Sequence, residues 1–189
     1  MKFGLTVLRT VIGVLFFGHG AQKLFGWFGG HGPEATGQFF ESLGLRPGRK
    51  HATAAGAAEA GGGAALALGL FTPAAAATLI GVMSQAIRTV HLKNGPWVSD
   101  GGYEYNLALI ATLVALADVG PGDLSLDRAL GIDASGPLVA MLALGAGIGG
   151  ATLLTRASDS DPSGAGSVPG DPASTASATP TSVTTPAQA

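Results

Sequence analysis

The sequence predicts an all-α integral membrane protein: a four-helix transmembrane bundle, followed by a fifth transmembrane helix and a disordered C-terminal tail. The first observation is composition, because 47% of the 189 residues are hydrophobic and only 12% are charged, whereas soluble proteins carry about 25% charged residues. The second is a mean hydropathy of +0.40. The third is a set of five apolar segments, each close to the roughly 20 residues that a helix needs to cross a bilayer.

Charge and cysteine usage exclude several classes of function. The net charge is −2, and no stripe of basic residues is present, so a nucleic-acid partner is not expected. The chain contains no cysteine, which removes disulfides, thiol redox chemistry and cysteine-bound iron–sulfur clusters.

The first apolar segment, FGLTVLRTVIGVLFFGHGA, covers residues 3–21. A signal peptide is the rival interpretation, because Lys2 precedes the run. The apolar core of a signal peptide is only about 7–15 residues long, and the sequence GHG at residues 18–20 matches an A-x-A cleavage site poorly. We therefore interpret the segment as a retained membrane helix.

The five segments divide the chain into three regions. They are Gly4–Gln22, Ala52–Phe71, Pro73–Val90, Tyr103–Val119 and Gly136–Leu154. The first four form a membrane domain over residues 1–130, and the fifth is an additional transmembrane helix within residues 131–156. Residues 157–189 are rich in Ser, Thr, Pro and Ala, and we expect them to be disordered because they bury too little apolar surface to fold.

Short surface helices are expected in two of the loops. PEATGQFFESLG begins with proline and carries an apolar face, which is typical of a helix lying along a membrane surface. GPGDLSLDRALG has turn residues followed by Ser125, which is placed to cap a brief helix.

Several ionisable and amide side chains fall within the predicted spans, where each charged group costs about 2.5–3.5 kcal/mol to insert. Catalytic candidates are Glu59 and Glu104, and substrate-binding candidates are Arg9, His19, Lys23, Gln85, Arg88 and His91. At about 100° per residue the candidates of the first helix share one face, and so do those of the third. We expect a polar chamber with Glu59 at its floor and Glu104 near its mouth, and Arg9 reaching toward Glu59 from the other side.

Structural explanations compete with these roles. The alternatives are that Lys23 extends to the lipid headgroups, that His91 is an ordinary loop residue, and that His19 is a hydrogen-bonded packing residue. Glu59 alternatively forms a structural ion pair with Arg9 or Arg88. His19 and His91 are the residue type that ligates haem, but they lack matched depths, and no metal-binding set of ligands is expected.

These residues resemble the DoxX family of membrane proteins over roughly residues 3–130. The resemblance is carried by Arg9 with GHGAQKL, by GQFFESLG, by EAGG from Glu59 and by LGLFTP, and then by His91, GYEY and GPGDLSLD. It implies a four-helix membrane domain and association with membrane redox systems, such as the DoxD-type subunit of thiosulfate:quinone oxidoreductase. The fifth span and the tail lie outside the resemblance.

The expected function is that of a membrane subunit of a redox system that binds a quinone or a small sulfur or organic substrate in the chamber. Glu59 or Glu104 would take up protons, while His19, Lys23 and Arg88 would bind an anionic or carbonyl oxygen. A soluble or membrane-bound redox partner would supply electrons, so we do not expect a complete enzyme. The alternatives are a membrane scaffold or assembly factor and a transporter of a small solute or proton; a homo-oligomer is left open.

The distribution of basic residues predicts the orientation in the cell membrane. The first and third loops of this multi-pass protein carry most of the Lys and Arg residues of the short loops, which places both loops in the cytoplasm by the positive-inside rule. Lys2 argues the other way.

Overall fold

The computed structural model describes residues 3–159, and these residues are helical with no β-strand. The helices are α1 Phe3–Phe25, α2 Gly32–Ser42, α3 Gly48–Leu68, α4 Thr72–Ala86, α5 Glu104–Val119, α6 Leu126–Ala129 and α7 Pro137–Asp159. A π-helical turn, Ile87–His91, prolongs α4. The all-α class is confirmed. The five long helices coincide with the five predicted segments, and α2 and α6 with the two predicted surface helices.

The boundaries of the elements follow from local sequence. Proline occupies the first turn of both α2 and α4, where its missing N–H costs nothing. The hydroxyl of Ser125 accepts a hydrogen bond from the N–H of Arg128, so the predicted cap of α6 is present. α7 extends to Asp159 and thus includes residues 157–159 of the predicted tail; residues 160–189 of that tail lie outside the described residues.

One described helix, α1 (Phe3–Phe25), is long and apolar enough by itself to cross a bilayer, and the apolar part of α7, Pro137–Leu153, is shorter. α5 has 16 residues, which span about 24 Å at 1.5 Å per residue against a hydrocarbon core of about 30 Å. Membrane crossing by the other predicted spans therefore stays a prediction.

Glycines bring α1 and α3 into close contact. A Cβ atom on Gly13 would lie 2.6 Å from the carbonyl oxygen of Gly63, and one on Gly20 would lie 2.6 Å from that of Gly56. The two glycines of each helix are seven residues apart, so they lie on one face and let the backbones touch. On the other side of the fold, α4 packs against α5 and α7 around an apolar core that includes Leu79, Ile80 and Leu113.

Two buried charged residues hold the turn between α3 and α4. The guanidinium of Arg9 donates hydrogen bonds to the carbonyl oxygens of Leu66 (3.0 Å) and Ala67 (2.8 Å) at the end of α3. The carboxylate of Asp127 accepts bonds from both the backbone N–H and the hydroxyl of Thr72, at 2.9 and 2.8 Å. Arg9 thus bonds carbonyl oxygens in the last turn of α3, and Asp127 satisfies free N–H groups at the start of α4.

Candidate functional site

A partly open cavity of about 690 Å³ lies between α1, α2, α3, α4, α5 and α7. Its volume falls within the range of about 300–1,000 Å³ that is typical of small-molecule sites. The walls are mostly apolar, with Phe16 on α1, Phe39 and Phe40 on α2, Met83 on α4 and Leu109 on α5. Polar side chains of the predicted chamber line part of the same cavity.

An ion pair between Lys23 and Glu59 joins α1 to α3 in the wall of the cavity. Lys23 Nζ lies 2.5 Å from Glu59 Oε2, and the Glu59 side chain is only 5% exposed. Gly56 faces the side chains of Lys23 and Leu24, and its missing Cβ leaves the room in which Lys23 lies against α3. The ammonium group of Lys23 is therefore bonded to a carboxylate, and the partner of Glu59 is Lys23 rather than Arg9 or Arg88.

His19 lies on α1 one turn before Lys23 and also lines the cavity. Its Nδ1 is 3.2 Å from Gln22 Oε1, and Gln22 Nε2 donates to the carbonyl oxygen of Phe28. The ring of His19 is held by a neighbour on its own helix and remains exposed at the rim of the cavity.

The end of α4 contributes two of its three predicted residues. Gln85 and His91 line the cavity, and His91 Nδ1 is 2.7 Å from the carbonyl oxygen of Gly101. Arg88 is not a lining residue, because its guanidinium donates to the hydroxyl of Thr152 on α7 at 2.9 Å. The π-helical turn Ile87–His91 changes the angle between successive side chains, so the regular spacing assumed from sequence does not apply there.

Glu104 and Arg9 do not line the cavity, contrary to the expectation from sequence. The carboxylate of Glu104 accepts a hydrogen bond from the backbone N–H of Val98 at 2.9 Å and so holds the loop before α5. Arg9 bonds the end of α3, and its remaining acceptor is the carbonyl oxygen of Leu124 at 2.6 Å. The expectation that Arg9 reaches toward Glu59 is therefore wrong.

Five polar lining residues were not candidates from the sequence, namely His51, Thr78, Thr89, Tyr105 and Asn106. Asn106 is buried, with its amide 3.4 Å from the sulfur of Met83, and His51 and Tyr105 line the cavity near the ends of α3 and α5. His51 immediately precedes a predicted span, and Tyr105 and Asn106 are in the first turn of another. A polar residue at the end of an apolar run is a weaker signal than a charge within it, and the hydroxyls of Thr78 and Thr89 bond carbonyl oxygens four residues earlier in the chain.

The site combines a charged pair with neutral donors and acceptors in an otherwise apolar cavity. Lys23 can donate hydrogen bonds to an oxygen atom, and Glu59 can accept or release a proton. The ring nitrogens of His19 and His91 can donate or accept a hydrogen bond, according to tautomer. No group of three or more His, Asp or Glu residues within residues 3–159 is arranged to hold a metal ion. The arrangement suits an amphipathic organic ligand.

Comparison with known proteins gives two matches. The family profile described as DoxX matches residues 4–92, which include α1 to α4 and the Lys23–Glu59 pair. A Bacillus subtilis (strain 168) protein named "Putative oxidoreductase CatD" is 37% identical over 130 residues, which cover 67% of this chain and 86% of that protein. No solved structure matches the chain at a significant level.

Proposed function

The chain belongs to the DoxX family of membrane proteins, and from this premise we propose that it is the membrane subunit of a redox system. It binds a quinone or a small sulfur or organic molecule in the cavity and works with a partner enzyme. The observation that carries the proposal is the Lys23–Glu59 pair, a nearly buried carboxylate bonded to an ammonium group in the wall of a ligand-sized, mainly apolar cavity.

The side chains of the cavity match the needs of a quinone. Its ring and tail are apolar and suit Phe16, Leu109 and the phenylalanines of α2. A carbonyl oxygen would accept a hydrogen bond from Lys23 or His19, and the two protons consumed when a quinone gains two electrons would pass through groups such as Glu59 and the histidines. The chain has no cysteine, so cysteine-held electron carriers belong to a partner, and the related protein's name supports a redox association.

The arrangement in the bilayer is part of the proposal. α1, α3, α4 and α5 form a four-helix transmembrane bundle within residues 1–130, and α7 is a fifth span within residues 131–156. The glycine contacts between α1 and α3 support this arrangement, because membrane helices commonly pack through small residues. The protein is a multi-pass protein of the cell membrane, and the loops after α1 and α4 face the cytoplasm.

A scaffold role is the second candidate, because the Lys23–Glu59 pair also fastens α1 to α3. In that case the carboxylate matters for stability alone. A buried charge left without its partner costs about 3–5 kcal/mol of folding stability, so loss of the pair lowers stability in either role. Only the redox-subunit role also predicts weaker ligand binding in a variant that remains folded.

The test compares the wild type with Glu59→Gln and with Glu34→Gln, purified in mild detergent. Glu34 is a matched control because it forms an ion pair with Arg49 while 69% exposed. We expect the wild type to bind short-tailed quinones, Glu59→Gln to bind them about tenfold more weakly, a loss of about 1.4 kcal/mol, and Glu34→Gln to bind normally. Mass spectrometry of the purified wild type should find a bound small molecule and a redox partner.

Two outcomes contradict the proposal. If the wild type binds no quinone and carries neither a bound small molecule nor a redox enzyme, the redox-subunit role is wrong. If Glu59→Gln lowers only the unfolding temperature and leaves ligand binding intact, the pair is structural and the scaffold role is favoured.

A further inference from the structure

An aromatic rim of Phe25, Trp27, Phe28 and Trp97 lies at the end of the molecule where α1 and α4 finish. These side chains are 60%, 52%, 71% and 63% exposed. Neighbouring rings contact one another along the chain, with centroids 5.0 Å apart for Phe25–Trp27 and 6.3 Å apart for Trp27–Phe28. We propose that this rim binds the headgroup region of a lipid bilayer and fixes the depth of the nearby cavity residues.

The backbone after α1 holds its aromatic rings outward. Gly26 and Gly29 have φ values of +70° and +78°, and Phe28 adopts the left-handed region at φ 54°. That region is rare for a bulky side chain. The carbonyl oxygen of Phe28 accepts a hydrogen bond from Gln22 Nε2 at 3.3 Å, which fixes the loop to α1. The backbone conformation of this loop therefore keeps Phe25, Trp27 and Phe28 exposed.

The rim continues the exposed apolar face of α1. Val11, Val14 and Phe17 are exposed on this helix, which is long and apolar enough to cross a bilayer. A surface that follows directly from a hydrocarbon-facing helix meets lipid next, and Trp in particular is enriched at the membrane–water interface. A protein partner would have to cover the rim while leaving the adjoining helix face to lipid, so lipid is the occupant that the continuity favours.

Trp97 lies at the same level of the molecule as the loop that follows α1. His19 and Lys23, near the end of α1, line one cavity together with His91 and Tyr105, which flank the loop that carries Trp97. Exposed basic residues also lie at this end, namely Arg46 and Lys93 in the loops and Lys50 in the first turn of α3. Their charges are placed to meet lipid phosphates.

A rim at the level of the headgroups fixes the depth of the polar groups of the cavity. Lys23 is two residues before Phe25, a rise of about 3 Å along the helix, so the Lys23–Glu59 pair lies close below the headgroups. The apolar side chains around Phe16 and Ile12 lie about 10–16 Å deeper along α1. A ligand dissolved in the bilayer, with a polar head and an apolar body, can reach both regions from the lipid. This consequence rests on the proposed function, whereas the position of the rim does not.

The test uses the two tryptophans that the chain contains. The full chain would be reconstituted into phosphatidylcholine–phosphatidylglycerol vesicles as Trp27→Phe, which reports Trp97, and as Trp97→Phe, which reports Trp27. Fluorescence would be quenched by lipids brominated near the headgroup, by lipids brominated near the chain end, and by iodide in the water. As a depth control, Val14→Trp in the double Trp→Phe background places a reporter in the middle of α1.

We expect lipids brominated near the headgroup to quench Trp27 and Trp97 at least about twofold more than lipids brominated near the chain end. The order should reverse for Val14→Trp, and iodide should quench all three weakly. Strong iodide quenching without lipid quenching would overturn the proposal by placing the rim in water. Resistance to both quenchers, as a bound protein or self-association would give, overturns it equally. None of these readings needs a quinone, so they are independent of the outcome for the proposed function.

Discussion

The carboxylate of Asp127 is expected to be the largest single polar contribution to the stability of the α3–α4 turn. It is 2% exposed and accepts three hydrogen bonds, from the N–H of Phe71 at 2.7 Å and from the N–H and hydroxyl of Thr72. The guanidinium of Arg9 attracts it electrostatically. Removing a partner from a buried hydrogen bond with a charged group costs about 1.5–3 kcal/mol.

Three substitutions should therefore form a graded series. Thr72→Val removes one of the three bonds and should cost about 1–2 kcal/mol. Asp127→Asn turns one acceptor oxygen into a donor that faces the N–H of Phe71, and should cost about 2–3 kcal/mol. Asp127→Ala removes all three bonds, leaves three donors without their acceptor, and should cost about 3–5 kcal/mol. The control is Asp133→Asn, an exposed position of the loop after α6.

The assay is reversible unfolding in mixed detergent micelles, followed by circular dichroism. The midpoint of unfolding should fall in the order given, and Asp133→Asn should stay within about 0.5 kcal/mol of the wild type. In a double-mutant cycle, Arg9→Ala and Asp127→Ala together should cost less than the sum of the two single changes. A loss below about 1 kcal/mol for Asp127→Ala, or strict additivity with Arg9→Ala, would refute the reasoning.

Two further predictions concern glycines. Gly20→Val should abolish or severely reduce folded protein in detergent, because its Cβ would lie 2.6 Å from a backbone oxygen of α3. Gly18→Val, where a Cβ has open space, should express normally. Equal expression of both variants would contradict close α1–α3 packing. Gly150→Leu should weaken quinone binding by about tenfold, because Gly150 lines the cavity. Gly149→Leu should bind quinone normally, because Gly149 is an open position that is not part of the lining. Equal affinities of the two variants would show that the ligand does not occupy this part of the cavity.

The helices were largely predictable from the sequence because their signals are local. Apolar length, proline in a first turn and Ser125 before a short apolar run each act within a few residues. The pairing of His19 and Lys23 on one face followed from helical periodicity alone. Glu59 was singled out for a similar reason, since a lone carboxylate in an apolar helix needs a partner in the bundle.

The partners of the charged residues were less predictable, because they depend on contacts distant in sequence. Arg9 was expected to meet a carboxylate, but the close α1–α3 packing places it at the carbonyl oxygens of Leu66 and Ala67 at the end of α3. The π-helical turn Ile87–His91 left no signal in the apolar pattern, and so Arg88 was expected in the cavity. Glu104 bonds a loop N–H only six residues away, a competing local interaction that periodicity does not represent.

Photo-crosslinking with an azidoquinone tests most directly the claim that the cavity beside the Lys23–Glu59 pair holds the ligand. The purified wild-type protein would be labelled with and without an excess of unlabelled quinone, digested and mapped by mass spectrometry. We expect labels on the segment around Phe16 to Lys23 and on the segment around Val82 to Val90, and we expect both to be lost on competition. Labels confined to the region around α6 at the opposite end, or labels that competition does not remove, would contradict this placement of the ligand.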